Sequence, residues 1–134
     1  MNIRRLGPAD EGVVAELATG PAQTELLRDE RTVFLVAFDG ERPMGFVLAH
    51  ELPRRHGDPS NLLVYEVDVA DAYRRRGVGK ALLDELATLA RRRGIREGWV
   101  LTEEDNHAAM ALYRSVGGVL PQQVTMWEFR YTDA

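Results

Sequence analysis

A chain of 134 residues is about the size of one domain, so a single domain over residues 1–134 is expected, large enough to bury a core without covalent staples. The absence of cysteine excludes disulfides, thiolate metal sites and a cysteine nucleophile. A formal net charge of −4 does not suit the broad basic face of a nucleic-acid binder, whereas an excess of carboxylates attracts a cationic small substrate.

Met1-Asn2-Ile3-Arg4-Arg5 is not followed by the apolar stretch of a signal peptide, and no run approaches membrane-spanning length. A cytoplasmic protein with no membrane partner is expected. Ile3 and Leu6 mark a short opening strand that Gly7-Pro8-Ala9-Asp10 ends, with Pro8 or Asp10 starting a helix. Val13, Val14, Leu17 and Ala18 recur at helical spacing until Gly20-Pro21 breaks them, and a short helical piece follows through Leu26 and Leu27. Thr32 to Phe38 is β-branched and aromatic, Asp39-Gly40 reads as a hairpin turn, and Met44 to Leu52 returns. Pro53 to Asn61 reads as a loop and Leu62 to Val69 as the next strand.

Val78, Leu82, Leu86 and Leu89 lie on one face of a strong helix, closed by Arg91-Arg92-Arg93 and then Gly94. Trp99 to Thr102 predicts another strand. Asn106 is a good N-cap for a helix carrying Ala109, Leu112, Tyr113 and Val116, which Gly117-Gly118 stops. Val124 to Tyr131 predicts a final strand. The order predicts a mixed α/β sheet, largely antiparallel, with helices on both faces.

The most informative stretch is Arg74-Arg75-Arg76-Gly77-Val78-Gly79-Lys80, between a strand and a long helix. A helix N-terminus presents N–H groups without intrahelical partners and about half a positive charge, which makes an anion site. Gly77 and Gly79 let the backbone approach a phosphate, and Arg74, Arg75, Arg76 and Lys80 ring the mouth. The P-loop spacing is absent, and the dinucleotide fingerprint needs a third glycine after a first strand.

With the preceding Val67-Asp68-Val69, this stretch resembles the acetyl-CoA motif of the GNAT superfamily of N-acetyltransferases. Asn106, Ala109, Leu112, Tyr113 and Gly117 resemble its second motif. The resemblance implies the acyl-CoA N-acyltransferase fold, with a sheet splayed at the cofactor site, and acetyl-CoA as the acetyl donor. It implies that backbone N–H groups from Arg75 to Lys80, Val78 among them, hold the pyrophosphate. Val67 and Val69, flanking Asp68, would pair with the pantetheine arm, with Asn106 and Ala109 beside it, and Tyr113 would stand by the thioester sulfur.

An amine attacks a thioester only when neutral, and an alkyl ammonium holds its proton to about pH 10.4 in water, so a base is needed. Glu66, on the strand that would carry the thioester, is the expected base. Asp68 shares its side-chain parity and is the fallback or a substrate contact. Tyr113 is the expected acid for the departing thiolate, and the Val69 N–H is the expected oxyanion donor. The absence of cysteine favours direct transfer in a ternary complex.

Within the superfamily, Leu63 to Val69, Ala111 to Gly117 and the short stretch after the last predicted strand are most similar to the small aminoglycoside 3-N-acetyltransferases. That similarity implies an aminoglycoside acceptor, with Glu103, Glu104 and Asp105 joining Glu66 and Asp68 in attracting a polycation; the same acidic cluster also reads as a turn complementing a helix dipole. Other acceptors stay open: a polyamine, a small metabolite or a protein N-terminus, as does a CoA-binding module without catalysis. His50, His56 and His107 do not form a ligand pattern, so no metal is expected. A homodimer is an open expectation.

Overall fold

The structure, a computed structural model, describes residues 1–57 and 60–132. Strand β2 (Thr32–Asp39) is buried at every residue up to Phe38, because both of its faces are covered. Val33, Leu35 and Ala37 enter one apolar cluster, and Phe34, Val36 and Phe38 enter the other. That division is the period-2 alternation of a strand with a helix layer on each side.

Around β2 the sheet runs β1-β2-β3-β4-β5, with β1 at Asn2–Arg5, β3 at Arg42–Leu52, β4 at Asn61–Val69 and β5 at Gly98–Val100. Neighbours are antiparallel except β4 and β5, which are parallel. The β2–β3 hairpin turns at Gly40, whose φ of +61° the hairpin requires and a glycine supplies without strain.

Helix α1 (Glu11–Leu17) and a 3-10 turn at Glu25–Arg28 cover one face through Val14 and Leu27. Helix α2 (Val78–Arg92) covers the other through Val78, Leu82, Leu83 and Leu86. It ends as its composition predicts. Gly94 takes φ +74°, the Ile95 N–H reaches the Ala90 carbonyl at 2.9 Å, and Ile95 buries its side chain in the α2 cluster. Helix α3 (His107–Ser115) packs its Leu112 and Tyr113 against that cluster, and none of its residues is fully buried.

Two predicted strands differ. The one beginning near Trp99 pairs only over Gly98–Val100, so Leu101 and Thr102 lie outside it. Val124 to Tyr131 is not a strand here. It pairs with nothing among the described residues, and its apolar side chains are exposed. The composition is strand-like, but β-propensity expresses itself only where an edge accepts the chain. The predicted loop from Pro53 to Asn61 yields Asn61 to β4, and its positions 58 and 59 lie outside the described residues.

The entry to α1 rests on Asp10, whose carboxylate accepts from the Gly7 N–H at 2.7 Å and from Arg4 at 2.7 Å. The backbone bond first, and the guanidinium second, hold its carboxyl below the ordinary value of 3.8. A depressed carboxyl stabilises the fold above about pH 4 and loses that contribution as pH falls through its folded pKa. Asp10→Ala is expected to cost about 1 kcal/mol at neutral pH, the usual worth of a capping contact. In urea melts the deficit should shrink as the pH is taken well below the ordinary value of 3.8; a deficit unchanged at acid pH would mean that the carboxylate charge is not involved.

Candidate active site

The site grows from an irregularity in β4. Its register against β3 pairs Ala49 with Val64 and Leu48 with Glu66, so Tyr65 has no opposite number. This is a β-bulge, which bends a strand and sharpens its twist. Pairing with β5 covers Leu62 to Val64 and stops there. Tyr65 to Val69 therefore runs on with its β5-side edge open, and the sheet splays.

The bulge also sorts side chains. Val67 and Val69 pack on the α2 cluster. Glu66 lies opposite Leu48 and Asp68 opposite Phe46, and both of those partners belong to the α1 layer. Facing residues of an antiparallel pair share a face, so Glu66 and Asp68 look toward the α1 side. Both are exposed. Tyr65 edges onto His50 with ring centroids 5.6 Å apart; His50 also lies on the α1 side, two residues along β3 from Leu48. The histidine spacing in the sequence gives no sign of this pair. The clue is a change of apolar parity along β4, from Leu62 and Val64 to Val67 and Val69.

Beyond Val69 the chain makes a 3-10 turn at Asp71–Tyr73 and enters the arginine loop. Arg75 (φ +63°) and Gly77 (φ +79°) are both left-handed, and no side chain caps α2. Left-handed residues of this kind curl a loop so that successive N–H groups converge on an anion. The arginines differ in employment. Arg74 folds back along the surface onto β4: its Nε donates to the Val69 carbonyl at 2.9 Å, and it pairs with Asp71 at 3.0 Å and Asp68 at 3.5 Å. Arg75 makes no ion pair among the described residues, and Arg76 lies over the Tyr73 ring at 5.8 Å. Lys80 pairs with Asp84 one turn along α2 at 3.1 Å. Gly79 serves a second need, since a Cβ there would lie 3.1 Å from Leu112 Cδ2; its bareness lets α3 press on the start of α2.

The remaining expected residues are placed as follows. Asn106 caps α3, its Oδ1 accepting from the Ala109 N–H at 3.1 Å, which leaves the Asn106 NH2 to donate outward and engages the Ala109 N–H. The Val69 N–H donates to Asp68 Oδ1 at 3.0 Å. Tyr113 packs on the α2 cluster, and burial pushes its phenol above the ordinary value of 10.0. Glu103, Glu104 and Asp105 form the exposed turn before α3, and none bonds to Glu66 or Asp68 among the described residues. No cluster of three or more potential metal ligands occurs among the described residues, and no helix there is long and apolar enough to cross a membrane.

The family model described as Acetyltransferase (GNAT) family matches residues 5–117. The chain belongs to the GNAT acetyltransferase family. The match takes in the splayed strand, the arginine loop and α3, and stops before the exposed segment that begins at Val119.

Individual GNAT relatives point in several directions. An L-2,4-diaminobutyric acid acetyltransferase of Streptomyces coelicolor is 37% identical over 90 residues, 66% of this chain and 51% of that protein. The N-alpha-acetyltransferase RimI of Mycobacterium tuberculosis is 46% identical over 61 residues, 44% of this chain and 35% of that protein. The chain thus spans about half or less of these relatives' length. Among solved structures, an aminoglycoside acetyltransferase from an uncultured soil metagenomic sample superposes with a TM-score of 0.85 at 19% identity, over 98% of this chain and 96% of that one. At that identity the likeness shows the fold alone.

Proposed function

We propose that this protein is an acetyl-CoA-dependent N-acetyltransferase whose acceptor is a primary amine on a small polycation, with an aminoglycoside 3-amine as the leading candidate. The observation that carries the reading is Glu66. It stands exposed on the unpaired edge of β4, and no hydrogen bond or ion pair among the described residues engages it. Asp68, by contrast, is tied to the Val69 N–H and to Arg74, so it is assigned to holding the loop.

Acetyl-CoA fits the residues present. The uncapped start of α2, beside left-handed Arg75 and Gly77, suits its pyrophosphate, and the open edge from Tyr65 to Val69 suits its extended arm as an added strand. The thioester supplies an activated acyl carbon. Glu66 takes the proton from the acceptor ammonium, directly or through one water, so that the nitrogen lone pair is free to form the C–N bond. Tyr113 gives its phenolic proton to the thiolate released when the C–S bond breaks. The two groups flank β4 from opposite faces of the sheet, so base and acid do not compete for one proton. The second proton on nitrogen, shed as the tetrahedral intermediate collapses, passes through water to the phenolate left on Tyr113, and water carries away the one on Glu66.

A polycationic acceptor is supported by the carboxylates Glu66, Glu103, Glu104 and Asp105 on an acidic chain. An aminoglycoside is favoured within that class by the similarity of Leu63 to Val69 and Ala111 to Gly117 to the small aminoglycoside 3-N-acetyltransferases. A second reading, a protein N-terminal amine, is favoured by the 46% identity to the mycobacterial RimI. The deciding measurement is free-thiol release from acetyl-CoA with a panel: several aminoglycosides, 2,4-diaminobutyrate, spermidine and an alanine-initiated peptide. Turnover of an aminoglycoside with the acetyl group mapped to its 3-amine is the expected result. Turnover of the peptide alone transfers the assignment to the second reading. Tight CoA binding with no acceptor turned over removes catalysis altogether.

A further inference from the structure

The α1 layer stops at β3. Its apolar cluster takes in no residue of β4 or β5, so on that face a row of side chains is left across three strands. His50 pairs with Leu63, and Leu63 pairs with Trp99. Paired residues of neighbouring strands share a face. Leu63 alternates with Leu62 and Val64, which pack on the α2 cluster, so His50, Leu63 and Trp99 all look toward the α1 side. Tyr65 lies on the same face, edge-on to His50 at 5.6 Å, and Glu66 follows it directly. Trp99 is 43% exposed and Tyr65 60%.

Two aromatic rings thus lie open beside the proposed base. Edge strands are usually blunted with charge or proline, and β5 carries a tryptophan instead. Neighbouring strands lie about 4.8 Å apart, so the row from His50 to Trp99 spans on the order of 10 Å, enough for a six-membered ring with its substituents. Its borders are acidic. Glu66 stands at one, and the chain leaving β5 reaches Glu103, Glu104 and Asp105 within six residues of Trp99.

We infer, on the acetyl-transfer reading above, that Tyr65 and Trp99 set acceptor specificity: they stack on the C–H face of a saccharide or cyclitol ring that carries the ammonium groups, while Glu66 receives the reacting amine. An aromatic face is the negative side of the ring quadrupole. It attracts an ammonium group and the polarised C–H bonds beside it. A cyclic acceptor presents several such C–H groups in one plane and gives up little internal freedom on binding. A linear polyamine must freeze several torsions to lie along the same face. A peptide N-terminus brings one ammonium and leaves the second acidic border unmatched. His50 supports the platform by holding the Tyr65 ring from its edge.

The chain has two tryptophans, and Trp127 is exposed and enters neither apolar cluster, so Trp127→Phe leaves Trp99 as the sole indole reporter. With CoA bound, kanamycin is expected to shift the Trp99 emission to shorter wavelength in a saturable manner, and spermidine to leave it in place. Emission that kanamycin does not move overturns the ring contact, whether the face stays bare or a protein segment covers it. An equal shift with spermidine also overturns it, because charge alone would then be read. In steady-state kinetics Trp99→Ala should raise KM for kanamycin about 5–30-fold, the worth of one aromatic contact to a cation. Its kcat should be unchanged, as for a contact made equally in the ground and transition states, and Trp99→Phe should recover most of the loss. An unchanged KM in Trp99→Ala overturns the contact and leaves acetyl transfer standing. A saturable emission shift with no turnover does the reverse: it removes acetyl transfer and leaves the ring site. If Trp99→Ala fails to fold, the emission of Trp99 in the otherwise native chain decides alone.

Discussion

Glu66→Gln is expected to lower kcat/KM by about 10²–10⁴-fold, the range over which a positioned general base contributes. Glutamine keeps the size of the side chain and its acceptor oxygen but cannot take up a proton at neutral pH. CoA affinity, measured by calorimetry, should be unchanged, because nothing ties the Glu66 side chain to the arginine loop. Asp68→Asn is the control. Its carboxylate meets the Val69 N–H and Arg74, and the Arg74 side chain is more than half exposed, where an ion pair is worth about 1 kcal/mol or less. A loss within about tenfold, mainly in KM for acetyl-CoA, is therefore expected. The reverse ranking, with Glu66→Gln near the native rate and Asp68→Asn crippled, would move the base to Asp68.

Periodicity and punctuation carried most of the fold. The β2 run, Asp39-Gly40, the apolar stripe of α2 and its Gly94 stop, and the Asn106 cap all appear where local chemistry places them. Each is decided within a few residues of itself. What was not foreseen depends on long-range partners. The bulge at Tyr65 needs the β3 register to become visible, although the parity change in β4 was available as a clue. The use of Gly79 as a seat for Leu112, and of Arg74 as a staple onto β4, depends on neighbours 33 and 5 residues away in sequence. The sequence alone puts Arg74, Arg75, Arg76 and Lys80 around one loop; in the structure Arg74 bonds back to β4 and Asp71, while Arg75 and Arg76 make no ion pair among the described residues. The predicted final strand failed for the same kind of reason, since its composition was strand-like but no edge of its own chain receives it. The proposed acceptor site depends on longer-range placement still: Glu103 to Asp105 are exposed on a turn of their own and bond to neither Glu66 nor Asp68 among the described residues.

Tyr113→Phe separates the leaving-group step from the base. Burial holds the phenol protonated beyond its ordinary range, so before the reaction it stands as a donor at neutral pH. A thiolate is a weaker base than an alkoxide, its thiol having a pKa of about 8.5, and part of the thiolate can depart unassisted. The loss in kcat is therefore expected at the low end for an acid catalyst, about 10²-fold, with KM for acetyl-CoA moving little. A rate unchanged in Tyr113→Phe would reduce the residue to packing on the α2 cluster. The alkaline limb supplies an independent reading. A group whose folded pKa is raised keeps its contribution to stability below its unfolded value and loses it as pH climbs through the folded one. The native chain should thus lose stability above about pH 10 more steeply than Tyr113→Phe, a difference that urea melts at pH 9 and pH 11 would reveal. If the two chains show the same alkaline slope while kcat still falls, the phenol acts in the reaction without being desolvated in the free protein, and closure around the thioester must supply the dry environment instead.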